Sequence, residues 1–487
     1  MHESGEVWGR EREMNGQERS VGARIIRGII VVIIGLLIWY SPVPAGVKKE
    51  AWHLLAIFVA TIVGLILTPL PMGAVVIFGV MMTTFTGILK IGEALSGFAN
   101  STVWLIVTAF LIARGFISTG LGKRIAYIFI RAFGRKTLGL AYSVVATDLI
   151  LSPATPSNTA RSGGVIYPIV RSLSLTFGSE PGETARKIGA FMMVMEYQAA
   201  VITSAMFMTS MAPNPLIAEL AKKTANISIS WGMWALAAIV PGMLSLLIVP
   251  FILYKIYPPE IKATPQAAEM AKNELEKMGP MKRTEKVMLF VFILILALWA
   301  TSEWNKIDAT VVALMGVSIM LLTGVIRWED VLAEKGAWDA LFWFGGLVMM
   351  ATYLNQLGFM KWFATMVGNS LAGWMWISAL IILMLVYFYS HYGFASTTAH
   401  VTAMFPAFLA VAVAVKAPPY LAALTFGFFS ALNAGITHYG TGPAPIYFNA
   451  GYLDQKTWWK FGLIISFVNL VIWIGVGFPW WKVLGLW

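Results

Sequence analysis

The sequence contains no cysteine. That absence excludes disulfides, thiolate nucleophiles and thiolate metal sites at once. Charge is scarce too, at 12% of the 487 residues, against 58% hydrophobic residues and a mean hydropathy of +0.74. A soluble globule carries about twice that charge, so a soluble fold is excluded. Histidines number five, and no spacing among them suits a metal; no metal and no cofactor is expected. The formal charge of +11 would suggest nucleic acid in a soluble chain. Here it is read as basic loops lying against an anionic membrane surface, with lipid and not nucleic acid as the partner.

What is abundant is long apolar sequence. Stretches of about 18 or more apolar residues recur from Ile25 to the C-terminus, each able to cross about 30 Å of hydrocarbon. The fold class is therefore an all-α polytopic membrane protein with about eleven transmembrane helices. Residues 1–24 read as a polar tail. Residues 25–50 hold a first span and its connection, and this span is retained, because "SPVPAG" does not resemble a cleavage site. The segment "GLGKRIAYIFIRAFGRK", with Lys123, Arg124, Arg131 and Arg135 among Ile and Phe, predicts a basic amphipathic helix lying at the membrane surface. Residues 258–286 form the only long polar connection. Its lysines and arginine (Lys262, Lys272, Lys277, Lys282, Arg283, Lys286) place it in the cytoplasm with the N-terminus.

The apolar pattern restarts after that connection. Residues 51–257 contain an amphipathic segment, an interrupted region (137–177), a span broken at "MAPNP" (185–222) and an intact span. Residues 287–487 repeat the order: "LGFMKWFATMVGNSLAG", an interrupted region (373–415), a span broken at "TGPAP" (418–453) and an intact span. The polar knots "SPATPSNTARSGG" and "HYGFASTTAHVTAMFP" align, Ser157 with Ser396, Thr159 with Thr398 and Arg161 with His400. An odd number of crossings between them makes the halves inverted repeats.

Matching interruptions in two inverted halves are the strongest sequence pointer to a transporter's site. Broken backbone cannot face lipid, so it lines protein or a wet cavity, and half-helix N-termini favour anions. Isolated Ser, Thr and Asn in membrane helices usually serve as interhelical glue. Duplication of the whole arrangement and the intramembrane cation Arg161, costing about 2.5–3.5 kcal/mol, favour a site instead.

"PSNTA" with a downstream "PN" break, repeated as "ASTTA" with "TGPAP", resembles the divalent anion/sodium symporter family of dicarboxylate and tricarboxylate carriers. "TPSNTARSGG" and "TAHVTAMFP" make the likeness closest to its exchanger branch: bacterial citrate:succinate and tartrate:succinate antiporters and plastid 2-oxoglutarate/malate translocators. The resemblance implies a homodimer with scaffold and transport domains. It also implies two re-entrant hairpins (137–177 and 373–415) and an elevator movement across the cytoplasmic membrane. Sodium-coupled members carry Ser-Asn-Thr in both hairpins; here the second reads Ser396-Thr397-Thr398, and bases follow at Arg161 and His400.

The expected substrate residues are Ser157, Asn158, Thr159, Ser396, Thr397 and Thr398, gripping two carboxylates, with Arg161 and His400 supplying charge. Pro213, Asn214, Thr441, Gly442 and Pro443 line the same cavity, with Thr209 and Thr437 as weaker candidates and His391 and His438 as wall residues. Asp148 and Glu196 are acids inside the membrane, best read as partners of nearby polar groups. The expected function is sodium-independent, obligate exchange of C4 and C5 dicarboxylates such as succinate, fumarate, malate and 2-oxoglutarate, with citrate and tartrate as further candidates. The alternative is a sodium-coupled symporter. An enzyme would need a catalytic cluster that the sequence does not offer.

Overall fold

The computed structural model describes residues 3–370 and 373–487, with side chains from Val21 to Val367 and from Gly373 onward. The chain is helical, and a lone bridge between Lys136 and Ala263 is the only β pairing among the described residues. Among the described residues ten helices are long and apolar enough to cross a membrane, against about eleven expected. The two sets differ: three of the ten, Thr137–Ala154, Trp376–Gly393 and Thr397–Ala414, are arms of the expected hairpins, while Met72–Phe85 and Ala309–Leu322 are apolar but only 14 residues long, about 21 Å at 1.5 Å per residue.

The first half opens with α1 (Glu3–Tyr40), α2 (Lys49–Leu67), α3 (Met72–Phe85), the one-turn α4 (Ile91–Ala94) and α5 (Ser101–Thr119). The amphipathic α6 (Leu121–Phe133) follows, then α7 (Thr137–Leu151), a tip, and the return through a π-helical turn (Thr159–Ile166) into α8 (Tyr167–Thr176). The broken pair is α9 (Gly189–Met206) and α10 (Pro213–Ala225); α11 (Trp231–Ile256) is continuous. Proline at the first position of α10 costs nothing, since that N–H has no helical partner. It also keeps α9 from simply continuing.

The polar connection is not an open loop. It carries α12 (Pro265–Met278), which packs along α6. Thr137 N–H donates to Lys262 O at 3.0 Å and Thr264 N–H to Arg135 O at 2.9 Å. The surface reading of α6 also needs amendment. Arg124 is buried, its Nε 2.6 Å from Glu285 and its Nη1 donating to Gly279 O at 2.9 Å. One charge of the amphipathic helix thus faces protein.

The second half repeats the order with α13 (Arg283–Ala300), α14 (Ser302–Asn305), α15 (Ala309–Leu322), α16 (Trp328–Ala333) and α17 (Lys335–Gln356). Then come α18 (Phe359–Ser370), α19 (Trp376–Tyr389), a tip, α20 (Thr397–Ala414), the broken pair α21 (Pro419–Leu432) and α22 (Pro443–Phe448), and finally α23 (Gln455–Ile472) and α24 (Phe478–Val483). The amphipathic segment ending at Gly373 coincides with α18; its residues 371 and 372 lie outside the described ones. The halves match in detail. Glu93 accepts the Lys90 N–H at 2.8 Å before α5, and Asp330 accepts the Arg327 N–H at 3.0 Å before α17.

Contacts divide the chain into two units. One comprises residues up to Asn100 with Asp339–Phe363, the other Ser101–Trp338 with Ala364–Trp487. In the first, α3 lies close against α17: a Cβ on Gly346 would sit 2.3 Å from Val76, and one on Gly73 2.7 Å from Asp339. In the second, α5 packs on α15 and α13. Each half's fifth helix therefore pairs with the other half's opening helices. The second unit also holds α6–α12 and α19–α24 with both tips.

Apolar exposure is the mark of a lipid-facing surface. Leu463, Phe467 and Val471, spaced four residues apart, form an exposed stripe down α23, while Phe461, Ile465 and Leu470 of the same helix are buried. By contrast, every residue of α9 is buried, which makes it the central helix of the second unit.

Candidate substrate site

The first tip is made by prolines that deny the α-helix its donors. After Leu151 the chain takes a 3-10 turn (Ser152–Ala154) and an extended Thr155, and becomes helical again at Thr159. Ser157 Oγ accepts the Ala160 N–H at 3.1 Å, capping the returning helix. Asn158 Nδ2 donates to Thr441 Oγ1 at 2.9 Å, and a Cβ on Gly442 would fall 2.0 Å from Thr159 Oγ1. The first tip is therefore seated against the second broken helix, and only glycine fits there.

Arg161 is fully buried, and its environment answers what such a cation is doing. Its Nε donates to Asp148 Oδ1 at 2.9 Å. Nη1 donates to Thr155 O at 3.2 Å and Ser210 O at 2.8 Å. Nη2 donates to Thr203 Oγ1 at 3.2 Å, Ser204 Oγ at 3.0 Å and Ala200 O at 3.5 Å. A guanidinium has five N–H donors, and protein oxygens take them all. Asp148 matches the charge, its second oxygen accepting the Thr203 hydroxyl. The expected counter-charge for a substrate carboxylate is thus committed to the protein, binding α7, the first tip and the α9–α10 break together.

The second half builds the same joint without the ion pair. Ser396 Oγ accepts the Ala399 N–H at 3.3 Å as N-cap of α20. His400 Nε2 lies 3.0 Å from Tyr387 O and from Ser390 Oγ, and its Nδ1 lies 3.5 Å from Asn433 Nδ2. A carbonyl can only accept, so Nε2 carries the proton; with the Asn433 amide oriented to donate, Nδ1 accepts from it and the ring is neutral. His391 Nε2 donates to Gly440 O at 2.8 Å. Tyr387 precedes Ser396 by the same spacing as Asp148 precedes Ser157. Likewise, Asn433 and Gly440 precede Pro443 as Thr203 and Ser210 precede Pro213. Both bases therefore join a tip to its own half's break.

Among the described residues no protein group takes the side-chain hydroxyls of Thr159, Thr397 or Thr398. Thr397 and Thr398 are 6% and 7% exposed. Thr209 is occupied: its hydroxyl donates to Pro153 O and accepts Trp231 Nε1 at 2.9 Å. Asn214 Nδ2 donates to Ser204 O at 2.7 Å and Phe207 O at 2.9 Å, leaving Oδ1 buried without a partner; Asn433 Oδ1 and Thr437 Oγ1 are likewise unpartnered. His438, half-buried, accepts Trp459 Nε1 at 2.9 Å. No group of histidines and acids suited to a metal occurs among the described residues.

Three connections escaped the sequence reading. Tyr197 donates to Ala434 O at 2.6 Å, Gln198 Nε2 to Gly435 O at 2.9 Å, and Ser162 Oγ to Tyr447 Oη at 3.1 Å. The one signal for the first two was polarity inside α9, an otherwise apolar helix; the third had none. Helix starts at Thr159, Pro213, Thr397 and Pro443 belong to this one unit. The first and last touch through Asn158 and Thr441, and α10 packs on α20.

Comparison with known proteins agrees with this architecture. A family model described as the sodium:sulfate symporter transmembrane region matches residues 23–487. A Bacillus subtilis protein named for malate transport, YflS, is 55% identical over 465 residues, covering 95% of this chain and 97% of its own. The chloroplast dicarboxylate transporter 1 of Spinacia oleracea is 48% identical over 469 residues, covering 96% and 82% respectively. The solved structure of Neisseria gonorrhoeae MtrF shares the fold at a TM-score of 0.56 and 13% identity, covering 94% of each chain. The Alcanivorax borkumensis YdaH transporter does so at 0.53 and 12%, covering 82% of this chain and 90% of its own. The chain is a membrane transporter and not an enzyme, and it belongs to the sodium:sulfate symporter transmembrane family.

Proposed function

We propose that this chain carries C4 and C5 dicarboxylates, succinate, fumarate, malate and 2-oxoglutarate among them, across the cytoplasmic membrane by sodium-independent exchange. The observation that carries the reading is the pair of tips. Each offers a serine cap and threonine hydroxyls at the start of a helix, and each is anchored by a buried base. Two such donor sets suit two carboxylates on one short skeleton. A helix start carries roughly half a positive charge, so the four starts together offer about +2 to a dianion. The names of the relatives, malate and dicarboxylate, point to the same substrate class.

Sodium independence rests on Arg161. Its guanidinium holds the carbonyls of Thr155, Ala200 and Ser210 and the hydroxyls of Thr203 and Ser204, the oxygens a mobile cation would need. Exchange follows from energetics. A dianion entering alone against 100 mV costs about 4.6 kcal/mol, at about 2.3 kcal/mol per charge, and a second dianion leaving cancels that cost. The hairpins 137–177 and 373–415 with the two broken helices would move as an elevator within a homodimer, with the N-terminus in the cytoplasm.

A second reading, sodium-coupled symport, draws on the unpartnered oxygens of Asn214, Asn433 and Thr437. Proteoliposomes separate the two. Under an imposed inside-negative potential, labelled succinate should enter only vesicles preloaded with dicarboxylate, equally in sodium and in choline. Sodium-driven accumulation in empty vesicles would overturn exchange and establish the symporter.

A further inference from the structure

One acid is left over once Arg161 and Asp148 are paired. Glu196 sits in the middle of α9 with no exposed surface. Neither of its carboxyl oxygens has a hydrogen-bond partner of normal geometry, and the one hydroxyl beside it, that of Ser162, is donated to Tyr447. Ala200, Thr203 and Ser204 lie four, seven and eight residues on, so all four share one helical face. That face is the one on which the guanidinium is bound. The polar groups within range of the carboxyl are Asp148, Arg161 and Ser162, with Tyr447 alongside.

The charge balance of this cluster has one solution. Two carboxyls share one guanidinium, and Asp148 already holds its Nε while Thr203 serves the other Asp148 oxygen. An ionised Glu196 would be a buried anion with no donor committed to it, a state avoided by taking up a proton. The surrounding elements offer no second cation. Tyrosines come from α8 (Tyr167, edge-on to Tyr447), from α11 (Tyr254, against Phe191) and from α9 itself (Tyr197). Helix α21 has no charged residue, the lysines of α11 and α23 are exposed, and Arg171 of α8 acts on Tyr452.

Glu196 also reaches the tips. Tyr447 lies in α22, just beyond Thr441 and Gly442, and donates to Ser162 O at 3.0 Å while accepting the Ser162 hydroxyl. Ser162 adjoins Arg161 in the returning helix of the first tip. A charge on Glu196 would therefore sit one residue layer behind the donors proposed to hold a dianion.

We propose that Glu196 is a proton-binding site of the transport unit, and that its proton must be in place for an anion to be held at the tips. Protonated, Glu196 leaves the Asp148–Arg161–Glu196 cluster neutral. Deprotonated, it adds an uncompensated negative charge beside the anion site. Proton and anion binding are then linked: each strengthens the other by the same factor. The coupling to anion rests on the dicarboxylate reading above; the proton site itself does not.

Infrared spectroscopy of the purified full-length protein tests the site with no substrate and no variant. At neutral pH a carboxylic acid C=O band should be present, and heavy-carbon-labelled glutamate should shift it. Absence of that band, or a band unmoved by the label, overturns the proton site whatever the protein transports. Dicarboxylate binding tests the coupling, using an acid that is fully dianionic throughout. In the wild type, affinity should fall at alkaline pH by up to about tenfold per pH unit, the slope of one proton; Glu196→Gln, the isostere of the protonated acid, should show no such fall. The same alkaline fall in wild type and Glu196→Gln would overturn the coupling, as would a flat wild type. A failure to bind any dicarboxylate with the labelled band present would sink the substrate reading alone.

Discussion

If Arg161 is committed to Asp148, the two must be thermodynamically coupled. Asp148→Asn preserves shape and leaves the guanidinium buried without its counter-ion. Arg161→Met leaves the carboxylate with only the Thr203 hydroxyl. Breaking either side of a buried pair costs about 3–5 kcal/mol. The double variant Arg161→Met with Asp148→Asn removes both charges together. It will not recover fully, because the carbonyls of Thr155, Ala200 and Ser210 lose donors at about 1–3 kcal/mol for each left unsatisfied. The informative quantity is the coupling energy, expected at about 2–3 kcal/mol, the upper range for residues in one network. Thermal or denaturant unfolding of the solubilised protein measures it, with ligand absent. Additivity within about 0.5 kcal/mol would refute the pairing and return Arg161 to the substrate.

Four further outcomes follow from the site. Thr398→Ala removes a hydroxyl that no described protein group uses and should weaken dicarboxylate binding about tenfold to a hundredfold, one hydrogen bond to a charged group, with unfolding unchanged. Ser157→Ala should do the same and also cost about 1 kcal/mol of stability as a lost cap; unchanged affinity in both variants would move the site elsewhere. Gly442→Ala places a Cβ 2.0 Å from Thr159 Oγ1 and should abolish uptake in a protein that still folds, whereas normal uptake would show that the tip is free to shift. His400→Gln keeps a donor for Tyr387 O and should retain transport within several-fold with an unaltered pH profile; a profile lost in the variant would mean that the imidazole acts as a charge.

What the sequence disclosed depended on how local the signal was. Paired breaks announced themselves, because Pro213 and Pro443 must begin helices and the knots around Ser157 and Ser396 are polar against an apolar background. The roles of those serines were half legible: each does cap a helix, as Ser before a helical run suggests. Arg161 was located, but the protein groups around it were not legible. Its partner Asp148 lies on the preceding helix, and Thr203 and Ser210 lie across a chain excursion that no spacing rule spans. The same holds for His400, since Tyr387 and Asn433 offer a carbonyl and an amide that sequence cannot aim. The polar connection was read as a loop because its helix α12 is amphipathic only toward α6, a neighbour far away in sequence. Glu196 was seen, yet a partner was assumed for it where the structure has none.

The charge carried across the membrane follows from these assignments and can be measured. Arg161 and Asp148 cancel, His400 is neutral by its contacts, and the proposed proton silences Glu196, so the empty transport unit has no net charge at its centre. Loaded with a dianion it carries −2, tempered by helix dipoles that spread potential without adding net charge. Had Arg161 and His400 both been open counter-charges, the loaded unit would be neutral and the empty one would carry +2. The two schemes therefore put the voltage-sensitive step on opposite halves of the cycle. A rapid jump of external succinate onto empty proteoliposomes on a solid-supported membrane should drive one inward movement of negative charge, seen as a transient current. Moving two charges through 100 mV is worth about 4.6 kcal/mol, which corresponds to about three orders of magnitude in the loaded inward-to-outward ratio. An inside-negative potential should accordingly suppress the transient, and an inside-positive one should enlarge it. Saturable binding with no transient at any potential would mean an electroneutral loaded step, and the counter-charges would have to be sought again at the two bases.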